Sequence, residues 1–223
     1  YYNKAKEFNS KNVVLIILES FSKEYIGALN KNMENGNYKG YTPFLDSLIN
    51  KSIVFPNMYA NTKRSVEAIP AILVGIPALM NDSYISSKYS GNTINSIAGL
   101  LKTKGYSSAF YHGGTNGTMG FDNFVKMAGF DRYYGRTEYN NDKDYDGKWG
   151  IFDDKFLQFT AVQLTKMKQP FVAAVYTLSS HHPYIIPDNM KGLFPKGELA
   201  IHQSIAYTDY SLKQFFKKVS KEK

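Results

Sequence analysis

The sequence has 223 residues, 43% hydrophobic and 21% charged, which is enough for one large α/β domain or two small ones of ordinary globular composition. The net charge is +8, from 27 Lys and Arg against 19 Asp and Glu. The Lys residues are scattered rather than striped, so an anionic membrane surface or a phosphate-bearing substrate suits this charge as well as nucleic acid does. The chain has no Cys, which excludes disulfides, thiolate metal sites and a Cys nucleophile.

Residues 1–11, YYNKAKEFNSK, form a polar, Lys-rich lead that is not a signal peptide and reads as following a region upstream. No apolar run approaches the ~20 residues of a membrane helix. From Val13 to Leu18 six apolar residues run into Glu19, the pattern of a buried parallel strand ending in an acid. TPFLDSLINKS (42–52) predicts a helix with Pro in its first turn, and IVFPNMYA (53–60) a short strand stopped by Pro56. SVEAIPAILVGIPAL (65–79) predicts a helix with Ser65 at its N-cap, ended by Gly75. NTINSIAGLLKTKG (92–105) is amphipathic and closes on Gly105. A strand over 106–114 and a short helix over 121–130 follow, and then 131–150, polar and irregular, reads as a surface excursion. The last elements are a helix over 150–168, a strongly β-type strand over 170–180 and a long amphipathic helix over 201–223. Alternating strands and helices predict a doubly wound, mostly parallel sheet with helices on both faces.

Three strands end in polar groups: Glu19-Ser20, His112-Gly113-Gly114 and Ser179-Ser180-His181-His182. In a parallel sheet these tips converge on one crevice at the carboxyl edge. Imidazole serves there as a metal ligand or as a group that holds a phosphoryl oxygen. Lys63 and Arg64 precede Ser65, whose hydroxyl begins a helix. A helix N-terminus favours both an anionic ligand and an alkoxide forming on its first residue. The same position equally suits a plain N-cap.

The segments NVVLIILESFS, NTKRSVEAIPAILVGIP, YHGGTNGTMGFDNF and TLSSHHPY resemble, in order and spacing, the alkaline phosphatase/sulfatase superfamily. The closest look is to its lipoteichoic acid synthase-like branch of phosphoglycerol transferases. The resemblance spans the chain from Asn12 onward and implies a sulfatase-like catalytic domain over 12–223, without its last strands, tethered by membrane helices upstream. By motif it makes Glu19 a metal ligand and Ser65 both nucleophile and ligand, with His181 and His112 as substrate contacts. Pro70, five residues after Ser65, favours Ser65 over Thr62, which stands where the family usually has Gly. A divalent ion is implied, Mn²⁺ ahead of Zn²⁺ or Mg²⁺. The implied partners are a phospholipid head group and an acceptor glycopolymer or glycolipid at the outer face of a bacterial membrane, with no nucleic acid. Two departures accompany the resemblance. The family's Trp and Arg that grip glycerol phosphate fall on Met119 and Phe121, which leaves phosphoethanolamine open as the group moved. The family's Asp-His metal pair has no counterpart, since no Asp-His dipeptide occurs. The alternatives are a hydrolase of the same superfamily, against which the absent Cys/Ser-x-Pro-x-Arg pattern counts for a sulfatase, and a non-catalytic binding domain.

Overall fold

The structure is a computed structural model that describes residues 8–221; most of the polar lead, and residues 222 and 223 of the predicted last helix, lie outside the described residues. Four strands form one wholly parallel sheet in the order β1-β4-β2-β3: β1 (Val13–Ile17), β2 (Ser107–His112), β3 (Arg132–Tyr134) and β4 (Phe171–Tyr176). The helices are α1 (Pro43–Ile49), α2 (Ser65–Val74), α3 (Ile97–Lys102), α4 (Phe121–Met127), α5 (Arg136–Tyr139), α6 (Asp153–Thr165) and α7 (Ala200–Val219).

Period-two alternation sends the two faces of each strand to different cores. Leu15, Ile17, Phe110, Val172, Ala174 and Tyr176 pack with Ile69 and Leu73 of α2, Ala98 of α3 and Phe124 of α4. Ile16, Ala109, Tyr111, Ala173 and Val175 pack on the other face against Phe156 and Leu157 of α6 and Leu212 and Phe215 of α7. Helices thus cover both faces of a parallel sheet, as the alternation of elements predicts.

Four local expectations change. β1 is not a buried strand: among the described residues only β4 lies beside it, at the sheet's edge, and Val13 and Val14 are each 38% exposed. Residues 53–60 form no strand and are exposed throughout, with Ile53 88% accessible: Pro56 lacks the N–H a ladder needs, and among the described residues no strand lies alongside. The 131–150 stretch is not wholly irregular. Its first residues make β3, where Tyr133 stacks on Phe110 on one face and Tyr134 on Tyr111 on the other. The helix expected over 92–105 begins only at Ile97, where Ser96 Oγ accepts the Gly99 N–H at 3.0 Å.

A buried carboxylate joins the strand exit to the two helices behind it. Asp153, the first residue of α6, accepts the Leu178 N–H at 2.8 Å, the Ser179 N–H at 3.0 Å and the Thr208 hydroxyl of α7 at 3.0 Å. Burial pushes its carboxyl up to about 6, while these donors pull the other way. Asp153→Ala strands three buried donors, so it should lower the unfolding free energy by roughly 3 kcal/mol. Urea unfolding should show this as a lower midpoint at unchanged slope; a loss below ~0.5 kcal/mol would mean that the carboxylate is not what holds the β4 exit.

Candidate active site

The parallel register aligns the strand tips. Ile17 of β1 and His112 of β2 flank Tyr176, the last residue of β4. Two residues past Ile17, on the same side of the chain, comes Glu19, which is buried. Its backbone is fixed from β4's exit: the Glu19 N–H donates to Thr177 Oγ1 at 3.0 Å, and the Ser180 hydroxyl donates to the Glu19 carbonyl. Ser20 then turns the chain through the left-handed region, with φ 57°, and its hydroxyl donates to Glu19 Oε1 at 2.7 Å. A non-glycine residue held there is locally strained, a feature that clusters at functional sites.

Glu19 Oε2 receives two donors, the Ser65 hydroxyl at 2.7 Å and the Tyr176 phenol. Burial, and then the carboxylate beside it, push the Tyr176 phenol well above its ordinary value, so it remains a donor at neutral pH. Ser65 is the first residue of α2 rather than its N-cap; Arg64 holds the N-cap and makes no side-chain capping bond. The Ser65 hydroxyl is therefore not used to satisfy its own helix. Gly75, with φ 69° and ψ 21°, closes α2 as expected.

The two cations before Ser65 differ in their commitments. The Arg64 guanidinium pairs with Glu67 and donates to the Asn81 carbonyl at 3.0 Å, while the Thr62 hydroxyl also binds Glu67. Arg64 and Thr62 are thus tied into α2's first turn. Lys63, Glu19, Ser65 and Tyr176 are among the residues lining a cleft of about 270 Å³.

The structure separates the two candidate imidazoles. His112 is 1% exposed, stacked on Tyr176 with ring centroids 4.7 Å apart, and edge-on to Phe121 at 5.4 Å. It sits behind Tyr176, not at the cleft surface. Phe121 is likewise core, while Met119 is partly exposed. His181, one residue beyond the Ser180 that holds Glu19, is half-buried, and its ring lies 4.3 Å from that of Trp149. Reading the strand tips brought in Ser180 but missed Tyr176, Thr177 and Trp149. The signal for Tyr176 was its parity with His112 and Glu19 across neighbouring strands.

Glu19 and Ser65 offer two hard oxygens side by side, which suits a divalent cation in kind. Among the described residues, however, no group of three or more His, Cys, Asp or Glu is placed to hold a metal ion.

The model of the sulfatase family matches residues 11–223. The chain belongs to the sulfatase family. It is 27% identical over 232 residues to lipoteichoic acid synthase 2 of Bacillus subtilis, covering 100% of this chain and 34% of that protein. A solved protein of the alkaline phosphatase superfamily from Vibrio parahaemolyticus superposes with a TM-score of 0.82 at 30% identity, over 97% of this chain and 52% of the other. The lipoteichoic acid synthase LtaP from Listeria monocytogenes shares the fold, with a TM-score of 0.79 at 21% identity over 95% of this chain and 52% of that one. The chain therefore spans about a third of the length of the curated relatives it matches and about half of these solved chains. The doubly wound fold implied by the sequence motifs is the superfamily's fold.

Burial lowers His112 from its ordinary 6.5 to about 4. The unfolded chain then binds the proton first, so acidification between pH 6.5 and 4 draws the protein toward unfolding. At about 1.4 kcal/mol per pH unit the contribution reaches about 3 kcal/mol. His112→Phe cannot protonate, so the wild type should lose roughly 3 kcal/mol relative to this variant across that window in paired urea titrations. Parallel pH profiles for the two proteins would show that His112 does not carry this term.

Proposed function

We propose that this chain is part of a transferase that moves a phosphoglycerol or related head-group phosphate from a phospholipid to an acceptor hydroxyl during assembly of a cell-envelope glycopolymer. The observation that carries this reading is the Ser65 hydroxyl, uncommitted to capping and 2.7 Å from Glu19 Oε2 at the start of a ten-residue helix, in a sulfatase-family chain. The relatives named lipoteichoic acid synthase and the superfamily neighbours support the same class.

Glu19 accepts the Ser65 hydroxyl and aims the oxygen into the cleft. Ser65 Oγ forms a bond to phosphorus, the bond to the diacylglycerol oxygen breaks, and that oxygen leaves with the proton Ser65 gives up. In a second displacement the acceptor oxygen bonds to phosphorus, the bond from phosphorus to Ser65 Oγ breaks, and Ser65 Oγ regains a proton as the acceptor hydroxyl gives one up. The positive end of α2 faces the developing charge, and Lys63 at the cleft adds to it. Tyr176 and Ser20 hold the Glu19 carboxylate in one orientation from either side. His181 is the imidazole available to a head group, and His112 acts from behind Tyr176.

A divalent ion, Mn²⁺ in preference to Zn²⁺ or Mg²⁺, would be held by Glu19 and Ser65 with ligands from elsewhere in the longer protein; it would acidify the hydroxyl and neutralise phosphoryl oxygens. Among the described residues no helix is long and apolar enough to cross a membrane. We place the domain outside the cytoplasmic membrane, tethered by upstream helices. The +8 charge assists at anionic lipid, where each cation near the surface contributes about 1 kcal/mol.

The 223-residue chain alone should bind Mn²⁺ weakly and turn over negligibly. A longer protein completing the family domain should bind Mn²⁺ by calorimetry and release diacylglycerol from labelled phosphatidylglycerol or phosphatidylethanolamine. Ser65→Ala should lower that release at least ~10³-fold with metal affinity reduced, and Glu19→Ala should abolish both. Cleavage unaffected by Ser65→Ala would sink the assignment. Metal binding without turnover on either lipid would favour a binding domain instead.

A further inference from the structure

The only Trp of the chain lies outside every motif that marks the site, yet it is built into it. Trp149 sits in the loop between α5 and α6. Asp146 Oδ1 accepts three successive backbone N–H groups there, from Lys148 at 2.8 Å, Trp149 at 2.7 Å and Gly150 at 3.1 Å. The loop is fastened to the tip of β2: Thr115 N–H donates to the Trp149 carbonyl at 3.1 Å, and Ile151 N–H to the Gly113 carbonyl at 2.9 Å. The approach is so close that a Cβ on Gly150 would lie 2.2 Å from the Gly113 oxygen, so only glycine fits. Trp149 is therefore held on a rigid mount.

From that mount the indole meets the tip of β4. Its ring lies 4.3 Å from the His181 ring, tilted by 56°, and its Nε1–H donates to the His182 carbonyl at 2.7 Å. The same carbonyl is 2.8 Å from His181 Nδ1. A carbonyl oxygen only accepts, so His181 Nδ1 must carry the proton. The two lone pairs of the His182 oxygen thus take one donor each, the indole and the imidazole. His181 Nε2 makes no hydrogen bond among the described residues.

We propose that Trp149 is a positioning residue for His181, fixing both the plane of the imidazole and its Nδ1–H tautomer so that Nε2 is the nitrogen presented to the head-group phosphate. Trp149 acts through His181 and the shared His182 carbonyl. The proposal rests on the reading of His181 as a head-group contact, but its first test does not.

The test is long-range ¹H–¹⁵N spectroscopy of the histidine-labelled chain, at a pH where the exposed imidazoles are neutral. The chain has four His, and His181→Gln identifies the His181 signals by their loss. The wild type should show His181 protonated on Nδ1. Trp149→Leu, lacking both the ring face and the N–H, should move His181 toward the Nε2-protonated form, and Trp149→Phe, which keeps a ring face, should move it less. His112 and His202, buried elsewhere, should keep their signals in both variants. If Trp149→Leu also displaces those two, the Phe variant decides. A wild-type His181 protonated on Nε2, or a tautomer unchanged in both variants, overturns the proposal. In the longer protein Trp149→Leu should slow transfer by ~10–100-fold, the scale of a misplaced contact group. A changed tautomer with unchanged transfer would leave the hold of Trp149 on the ring standing and remove His181 from the reaction. Slower transfer with an unchanged tautomer would overturn the positioning role and leave the transferase reading intact.

Discussion

β4 runs between β1 and β2, parallel to both, and the candidate site depends on that ladder. Parallel pairing brings all the carboxyl ends to one edge, and the register then decides which side chains meet there. Tyr176 has Ile17 on one side and His112 on the other, all facing the α2 side of the sheet. Glu19 continues the same parity past the end of β1, which is why the Tyr176 phenol reaches its carboxylate. A slip of one residue would turn Tyr176 toward α6 and α7 and leave Glu19 without that partner.

Holding β4 in place falls partly to buried polar groups beneath its exit. Asp153 takes the N–H groups of Leu178 and Ser179, while the next residues, Ser180 and His181, turn toward Glu19 and Trp149. One carboxylate thus anchors the segment on the α6 and α7 side while its neighbours build the site. A second buried carboxylate does similar work further along α7: Asp209 accepts the N–H groups of Phe44 and Leu45 and caps α1. Burial pushes the Asp209 carboxyl up to about 6 as well, so both anchors bind a proton more readily than in the unfolded chain. The sign is opposite to that of His112: the carboxylates favour the folded state as pH falls from about 6, and His112 opposes it. The acid limb of the whole molecule's stability is therefore a contest between these buried groups.

Much of this plan could be read from residue order. The apolar run ending at Glu19, the polar tips after β2 and β4, and the helix-opening Ser65 are local patterns, and the parallel sheet follows from their alternation with helices. What stayed hidden depends on contacts between distant segments. β3 has only three residues, and its Tyr133 and Tyr134 become strand residues because Phe110 and Tyr111 offer them rings to stack on. IVFPNMYA has strand-like composition but, among the described residues, no neighbour to pair with. The burial of His112 could not be seen in a tip motif, since Tyr176, far off in the chain, stacks over it while Phe121 of the same motif closes its edge. Trp149 stands in a polar stretch whose role is set by Gly113 and the His182 carbonyl.

The placement of Ser65 shows how a shift of one position changes what a hydroxyl can do. At an N-cap, a serine oxygen folds back onto the second or third N–H of its own helix and is used up as a structural acceptor. Arg64 takes that place in α2 with an extended backbone, φ −114° and ψ 134°, and leaves the capping bond unmade. Ser65 therefore enters the helix with helical geometry, and its hydroxyl reaches outward to Glu19 while the first-turn N–H groups and the helix dipole remain behind it. The stability given up at the cap, typically ~1 kcal/mol, leaves an anion-favouring helix end and a carboxylate-oriented hydroxyl at the same point. On the proposed transferase reading, a phosphoryl group approaching that oxygen would meet the positive end of α2, the arrangement in which fixed dipoles act on developing charge without reorganising.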